Sequence, residues 1–257
     1  MKQKWCLLGF IMGGSLPLGL LLTVLMVVIQ QTVFSVTFKP TPSAITTSLE
    51  QAMSSAGFAP LFLVMLVVSM VILGWSIAKR WVGSKSIYTL CSLPTSRTWL
   101  YLCWLISGIL LIVLLAAGQF ISIKLAHNQY EKIIIEYLFE NPDAPEVPLM
   151  SNSLFYAFIR WDFLRPFLPY TFSEAMISLI FLVSPAALTV RLSLGIFSRK
   201  LPAALLASGL WLMMIMIVTS TIRTISFWDG CCLIGLAAVT AWTIISGIRL
   251  MERGDML

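Results

Sequence analysis

Few residues in this chain could do chemistry, and none falls into a catalytic pattern. His127 is the single histidine, and it stands beside Asn128 in a polar stretch. No His-Glu-x-x-His or Gly-x-Ser-x-Gly pattern occurs, so neither a zinc protease nor a serine hydrolase is indicated. His127 alone reads as a surface residue. The five cysteines include no Cys-x-x-Cys pair. Cys231 and Cys232 are adjacent, which offers neither a disulfide framework nor a zinc site. Gly83-Ser84-Lys85-Ser86 has a passing likeness to a phosphate-binding loop. That loop needs a Gly five residues before the Gly of its Gly-Lys pair. Ala78 occupies that place, and Gly83 is not adjacent to Lys85. The chain is therefore expected to carry no catalytic residue, no metal site and no cofactor of its own.

The elements that would hold such residues are set by an extreme composition. Of 257 residues, 59% are hydrophobic and 11% charged, with a mean hydropathy of +0.93. Soluble domains carry about 25% charged residues. A soluble globule has no interior large enough for this apolar surface, so a soluble enzyme is excluded. The net charge of +6 then concerns a bilayer rather than nucleic acid, and no nucleic-acid partner is expected.

Charges divide the chain into long uncharged stretches. Lys4 to Lys39 encloses 34 residues, Glu50 to Lys79 encloses 28, and Arg97 to Lys124 encloses 26. Glu174 to Arg191 encloses 16, Lys200 to Arg223 encloses 22, and Asp229 to Arg249 encloses 19. A spanning helix needs about 20 apolar residues. Five stretches suffice outright. The fourth suffices if Arg191 snorkels to the head groups at its end. The runs do not alternate as barrel strands would. An all-α integral membrane protein with six spans is expected, near 7–31, 58–78, 99–122, 174–196, 202–224 and 229–249. The first run exceeds the 7–15 residues of a signal-peptide core, so it reads as a retained span. Pro60 and Pro202 open helices, and Pro185 should kink the fourth span.

Orientation follows from the basic residues. With the N-terminus inside, eleven of the 17 Lys and Arg fall on the inner side, as do two of the 11 acidic residues. The balance is +9 inside and −3 outside. The positive-inside rule then puts both termini in the cytoplasm.

Two connections carry further signal. The inner connection after the second span runs from Lys79 to Arg97. Ile87, Tyr88, Leu90, Cys91 and Leu93 give it an apolar stripe, which suits a short surface helix ended before Pro94, with a basic connector that has no partner as the alternative. The outer connection, 123–173, opens with a helical pattern from Tyr130 to Glu140 and breaks at Asn141-Pro142. It then packs seven aromatics into Leu149–Tyr170, Phe155, Phe158, Trp161 and Phe163 among them. An aromatic belt at head-group level and an outer lid over an exit are both open readings of these residues. Within the spans, Gln119, Thr219 and Thr221 are candidates to line a pathway, with helix packing through polar side chains as the alternative.

Leu90-Cys91-Ser92-Leu93-Pro94-Thr95-Ser96-Arg97, followed by an apolar span, resembles the LLxLPxSR segment of type-2 ABC-transporter permeases. The tail Arg249-Leu250-Met251-Glu252-Arg253-Gly254-Asp255-Met256 is similar to the short charged tail that often closes those chains. The likeness covers the whole chain in topology but about eight residues plus the tail in sequence. It implies a coupling helix within 84–97 that docks on a separate ATPase. Ser86, Ile87, Tyr88, Leu90, Leu93, Pro94 and Arg97 would make that contact. It further implies cytoplasmic ATPase subunits that bind ATP and magnesium, a second permease of the same or a related kind, and a bacterial cytoplasmic membrane. Hydrophobic or antimicrobial peptides or drugs are the cargo suggested. This chain departs from the pattern in one respect: many relatives carry their larger outer insertion between the last two spans, whereas Ser226–Asp229 is nearly all of that connection here. A six-span assembly or sensor protein without transport activity is the alternative.

Overall fold

The structure is a computed structural model that describes residues 2–39, 47–82, 96–141, 153–164, 167–169, 172–197 and 227–252. Among these residues every regular element is a helix. The elements are α1 (Lys2–Thr37), α2 (Leu49–Ser55), α3 (Phe58–Val82), α4 (Arg97–Glu140), α5 (Ser153–Arg160), a 3-10 turn (Asp162–Leu164), α6 (Phe172–Phe197) and α7 (Phe227–Glu252). Helices α1, α3, α4 and α6 are long and apolar enough to cross a membrane. The protein is an all-α, multi-span membrane protein. Helix α7 covers the expected 229–249 stretch, whereas the expected fifth span, 202–224, lies outside the described residues.

The helices overrun their expected bounds. Helix α1 has 36 residues against the 25 of 7–31. Helix α4 has 44 against the 24 of 99–122 and absorbs the separate helical pattern expected at 130–140. At 1.5 Å per residue it is about 66 Å long, twice the roughly 30 Å hydrocarbon core. Lys124 ends the apolar run but supplies no reason for the backbone to stop. The first breaker is Pro142, and Asn141 caps the helix by donating from its backbone and side-chain N–H groups to the Tyr137 carbonyl at 3.0 and 3.1 Å. Pro185 does not end α6, which continues to Phe197.

Buried side chains form three layers. One end packs Leu7 and Ile11 of α1, Ile77 of α3, Leu100 and Trp104 of α4, Leu194 of α6, and Leu250 and Met251 of α7. The middle packs Leu22 and Met26 with Phe62, Met65, Ile112, Leu115 and Ala186. The far end packs Phe34 and Phe38 with Met53, Phe58, Ile123, Ala126, Tyr130 and Trp161. Both described chain ends thus meet in the first layer. Helices α6 and α7 run in the same direction, since Arg191 meets Ser246, and Leu194 and Leu250, each further along its helix, share the layer at one end.

The far layer is a cap, built from the overrunning ends of α1 and α4 closed by α2 and α5. Ser48 caps α2 with a reciprocal bond pair to Gln51. Gly57, at a φ of +72°, then turns the chain sharply into α3, a conformation open to glycine. The Tyr130 hydroxyl donates to the Thr47 carbonyl at 2.7 Å and ties α4 to that corner.

Helices α3, α4 and α6 meet at Gly108. A Cβ there would sit 2.7 Å from the Ala186 Cβ and 3.3 Å from the Ala186 Cα, backbone that has no rotamer to change. Gly108→Val should lower the thermal unfolding midpoint in detergent, at a cost of roughly 1–3 kcal/mol. Gly9→Ala, in open space, should leave the midpoint in place. Equal midpoints for both variants would contradict this crossing.

Candidate functional site

Polar side chains in an apolar bundle need partners, and several of those here find them across the α1–α4 seam. Ser15 Oγ lies 2.8 Å from Ser107 Oγ. Higher up, Gln30 Nε2 donates to Gln119 Oε1 at 2.8 Å and to the Phe58 carbonyl at 3.2 Å. Gln31 Nε2 donates to the Ser122 carbonyl and hydroxyl at 2.8 and 2.9 Å. Gln30 and Gln119 are 0% and 1% exposed. The seam closes tightly because Gly118 accepts the Thr23 methyl where any Cβ would collide with it. This amide cluster sits between the middle layer and the cap. Gln30 Oε1, Gln31 Oε1 and Gln119 Nε2 are buried without a partner. The cluster therefore keeps both acceptor and donor capacity, the complement of a peptide or amide group.

An aromatic ladder covers the cluster. Phe58, which accepts from Gln30 through its carbonyl, stands 6.5 Å from Trp161 between ring centroids. Trp161 is 5.2 Å from Phe163, and Phe163 packs edge-on to Phe62 at 5.5 Å. Phe167 meets Phe62, Phe120 and Phe181 at 5.3, 6.4 and 5.9 Å, and Phe158 meets Phe120 at 6.1 Å. Edge-on and tilted pairs at these separations add about 0.5–1.5 kcal/mol each beyond their buried area. Of the four expected lid residues, Trp161 is buried, Phe158 and Phe163 are half-buried against the bundle, and Phe155 is 60% exposed. The first three form a packed cover, and Phe155 faces outward.

Other sequence expectations fare differently. His127 is not a surface residue: it is 5% exposed in the cap, with Nε2 3.2 Å from Glu131 Oε1 one turn on. Arg191 does not snorkel outward. It is 8% exposed, and its Nε donates to Ser246 Oγ at 3.1 Å, which holds the guanidinium inside the bundle. Gln119 is paired with Gln30, as interhelical packing through polar side chains requires. Gln30, Gln31 and Ser122 were not singled out from sequence, although two adjacent amides in a 34-residue uncharged run are a readable signal.

Of the coupling residues, Arg97 is the first residue of α4 and half-buried. Ser86, Ile87, Tyr88, Leu90, Leu93 and Pro94 lie outside the described residues, as do Thr219 and Thr221. Both flanks of that segment are fastened. Arg80, near the end of α3, donates from Nη2 to the Phe10 and Ile11 carbonyls at 3.1 and 3.2 Å and stacks 4.7 Å from the Phe10 ring centre. Thr98 donates to Glu252 Oε1 at 3.0 Å, joining the start of α4 to the end of α7. Among the described residues no group of three or more His, Cys, Asp or Glu side chains is placed to hold a metal. Comparison with family models, curated proteins and solved structures finds no match to this chain.

A double-mutant cycle with Gln30→Leu and Gln119→Leu should return a coupling energy of roughly 0.6 kcal/mol, up to about 1.7, the range of interhelical hydrogen bonds in membranes. Additive effects would dissociate the two amides.

Proposed function

We propose that this chain is the membrane-spanning permease subunit of an ATP-driven ABC transporter, with six spans and both termini in the cytoplasm of a bacterial cell. It exports hydrophobic or antimicrobial peptides or drugs and does no chemistry itself. A separate ATPase supplies the energy, and a second permease completes the pathway.

The observation that carries this reading is the mounting of the 83–95 connection. One flank is clamped to α1 through Arg80, and the other is joined to α7 through Thr98 and Glu252. A push on that connection is delivered to four helices at once, α3 with α1 and α4 with α7, as a lever requires. A docked ATPase that binds one arrangement of this end better than another biases the equilibrium between them. The sixfold count draws support from α6 and α7, which run in the same direction. The uncharged stretch between Lys200 and Arg223 has the length for a crossing. The unsatisfied amides of Gln30 and Gln119 under an aromatic cover favour cargo with peptide groups.

Two experiments test the proposal. Tagged chain from native membranes should co-purify with an ATPase that carries a phosphate loop, and Leu93→Asp or Arg97→Glu should uncouple ATP hydrolysis from transport. Recovery of no ATPase would leave the assembly or sensor alternative. For orientation, F139C and E252C in a cysteine-free background place thiols at exposed sites at the two ends of the bundle. A membrane-impermeant maleimide should label position 139 in intact cells and position 252 after permeabilisation. The opposite pattern would invert the topology.

A further inference from the structure

Arg191 sits where α4, α6 and α7 meet, and its electrostatics are incomplete. Its Nε is satisfied by Ser246, but neither terminal nitrogen has a hydrogen-bond partner, and Nη1 is fully enclosed. Among the described residues no carboxylate pairs with it. The Tyr101 hydroxyl lies within electrostatic reach of the guanidinium, is 0% exposed and is likewise without a partner. The Tyr101 ring lies directly on the backbone of α7 at Gly247, where a Cβ would come within 2.5 Å of it, so the hydroxyl is held in place. Trp104, on the next turn of α4, also buries an indole N–H without an acceptor.

A lone buried cation is costly. Guanidinium keeps its proton under all ordinary conditions, so it cannot escape the penalty by neutralisation. The surrounding groups offset it only in part: the Trp104 indole can only donate, and the Tyr101 and Ser246 hydroxyls bring one neutral oxygen each. Among the described residues, what the junction lacks is an anionic acceptor. Guanidinium presents a planar fork that fits a phosphate or carboxylate through two parallel bonds, which makes this residue type suited to oxyanions. Its level in the bundle narrows the source. Arg191 is one turn from Leu194 in the layer that holds both described chain ends, close to a membrane surface rather than at mid-depth.

We propose that the α4/α6/α7 junction is a phosphate-binding site in which Arg191 and the Tyr101 hydroxyl grip the oxyanion, supplied by a lipid head group or by free phosphate. The site is independent of the transporter reading. It needs no ATPase and would exist equally in an assembly protein.

The test uses the full chain in nanodiscs. Discs of phosphatidylcholine with phosphatidylglycerol should raise the thermal midpoint by about 5 °C over phosphatidylcholine alone if an anionic lipid is the ligand. Inorganic phosphate added to phosphatidylcholine discs should give that rise if free phosphate is. In either case Arg191→Gln should abolish the shift, and Arg249→Gln, which removes an exposed cation from the same end, should retain it. If Arg191→Gln does not fold, Tyr101→Phe provides the same reading by halving the shift or more at unchanged shape. The proposal is overturned if neither source moves the midpoint of the unaltered chain. It is also overturned if the shift survives in Arg191→Gln or Tyr101→Phe, or disappears equally in Arg249→Gln.

Discussion

The α1–α4 seam is the contact on which the other helices are arranged. In lipid, apolar side chains gain nothing by leaving the solvent for each other, so helices associate through close backbone approach and hydrogen bonds. The seam uses both. Gly118 removes the side chain that would hold α1 off, and the Ser15–Ser107, Gln30–Gln119 and Gln31–Ser122 contacts fix its register along most of its length. The remaining faces of α1 and α3 are left apolar, with Leu21, Val28, Val64, Val67 and Trp75 exposed as lipid-facing residues should be. The bond from Gln30 to the Phe58 carbonyl then brings the start of α3 to the same seam.

Charge within the bundle is handled by a few specific contacts. Arg80 rests on two backbone carbonyls and an aromatic face, a set of neutral acceptors that satisfies part of its fork. Arg191 has a single serine oxygen. Both guanidinium groups keep a buried Nη1 without a partner, and they differ in what the rest of the fork meets. Arg80 is held by two carbonyls that join α3 to α1, whereas Arg191 is held by one hydroxyl.

The spacing of charges made most of the span positions legible, because a run of about 20 uncharged residues has few alternatives in a chain of this composition. It could not mark where α4 ends. Hydropathy registers the exit at Lys124, but a helix continues in water until a breaker stops it, and none stands before Pro142. Pairings between distant residues were equally hidden. Gln119 was recognisable as a polar residue inside a span, yet its partner is 89 positions away. Arg191 read as an edge residue because its partner, Ser246, belongs to a helix 55 positions on. His127 was misjudged for the same reason: the cap that buries it is assembled from four separate segments, and nothing adjacent to His127 announces them.

The length of α4 gives the two ends of the protein a mechanical relation. Arg97 and Thr98 begin the helix beside α7, and His127 and Tyr130 lie in the cap at its other end. A continuous α-helix with no proline is stiff along its axis, so a displacement at one end is carried to the other rather than absorbed between them. The pieces that could yield lie beside it. Helix α1 contains Pro17, whose missing N–H leaves one carbonyl of the preceding turn unpaired. The Arg80 clamp grips α1 at Phe10 and Ile11, within two turns of that point. Motion at the end that holds both described chain ends therefore divides between a rigid rod and a helix with a built-in weak turn. The Ser15–Ser107 contact lies between the clamp and Pro17, so it must strain or break if α1 bends there while α4 does not.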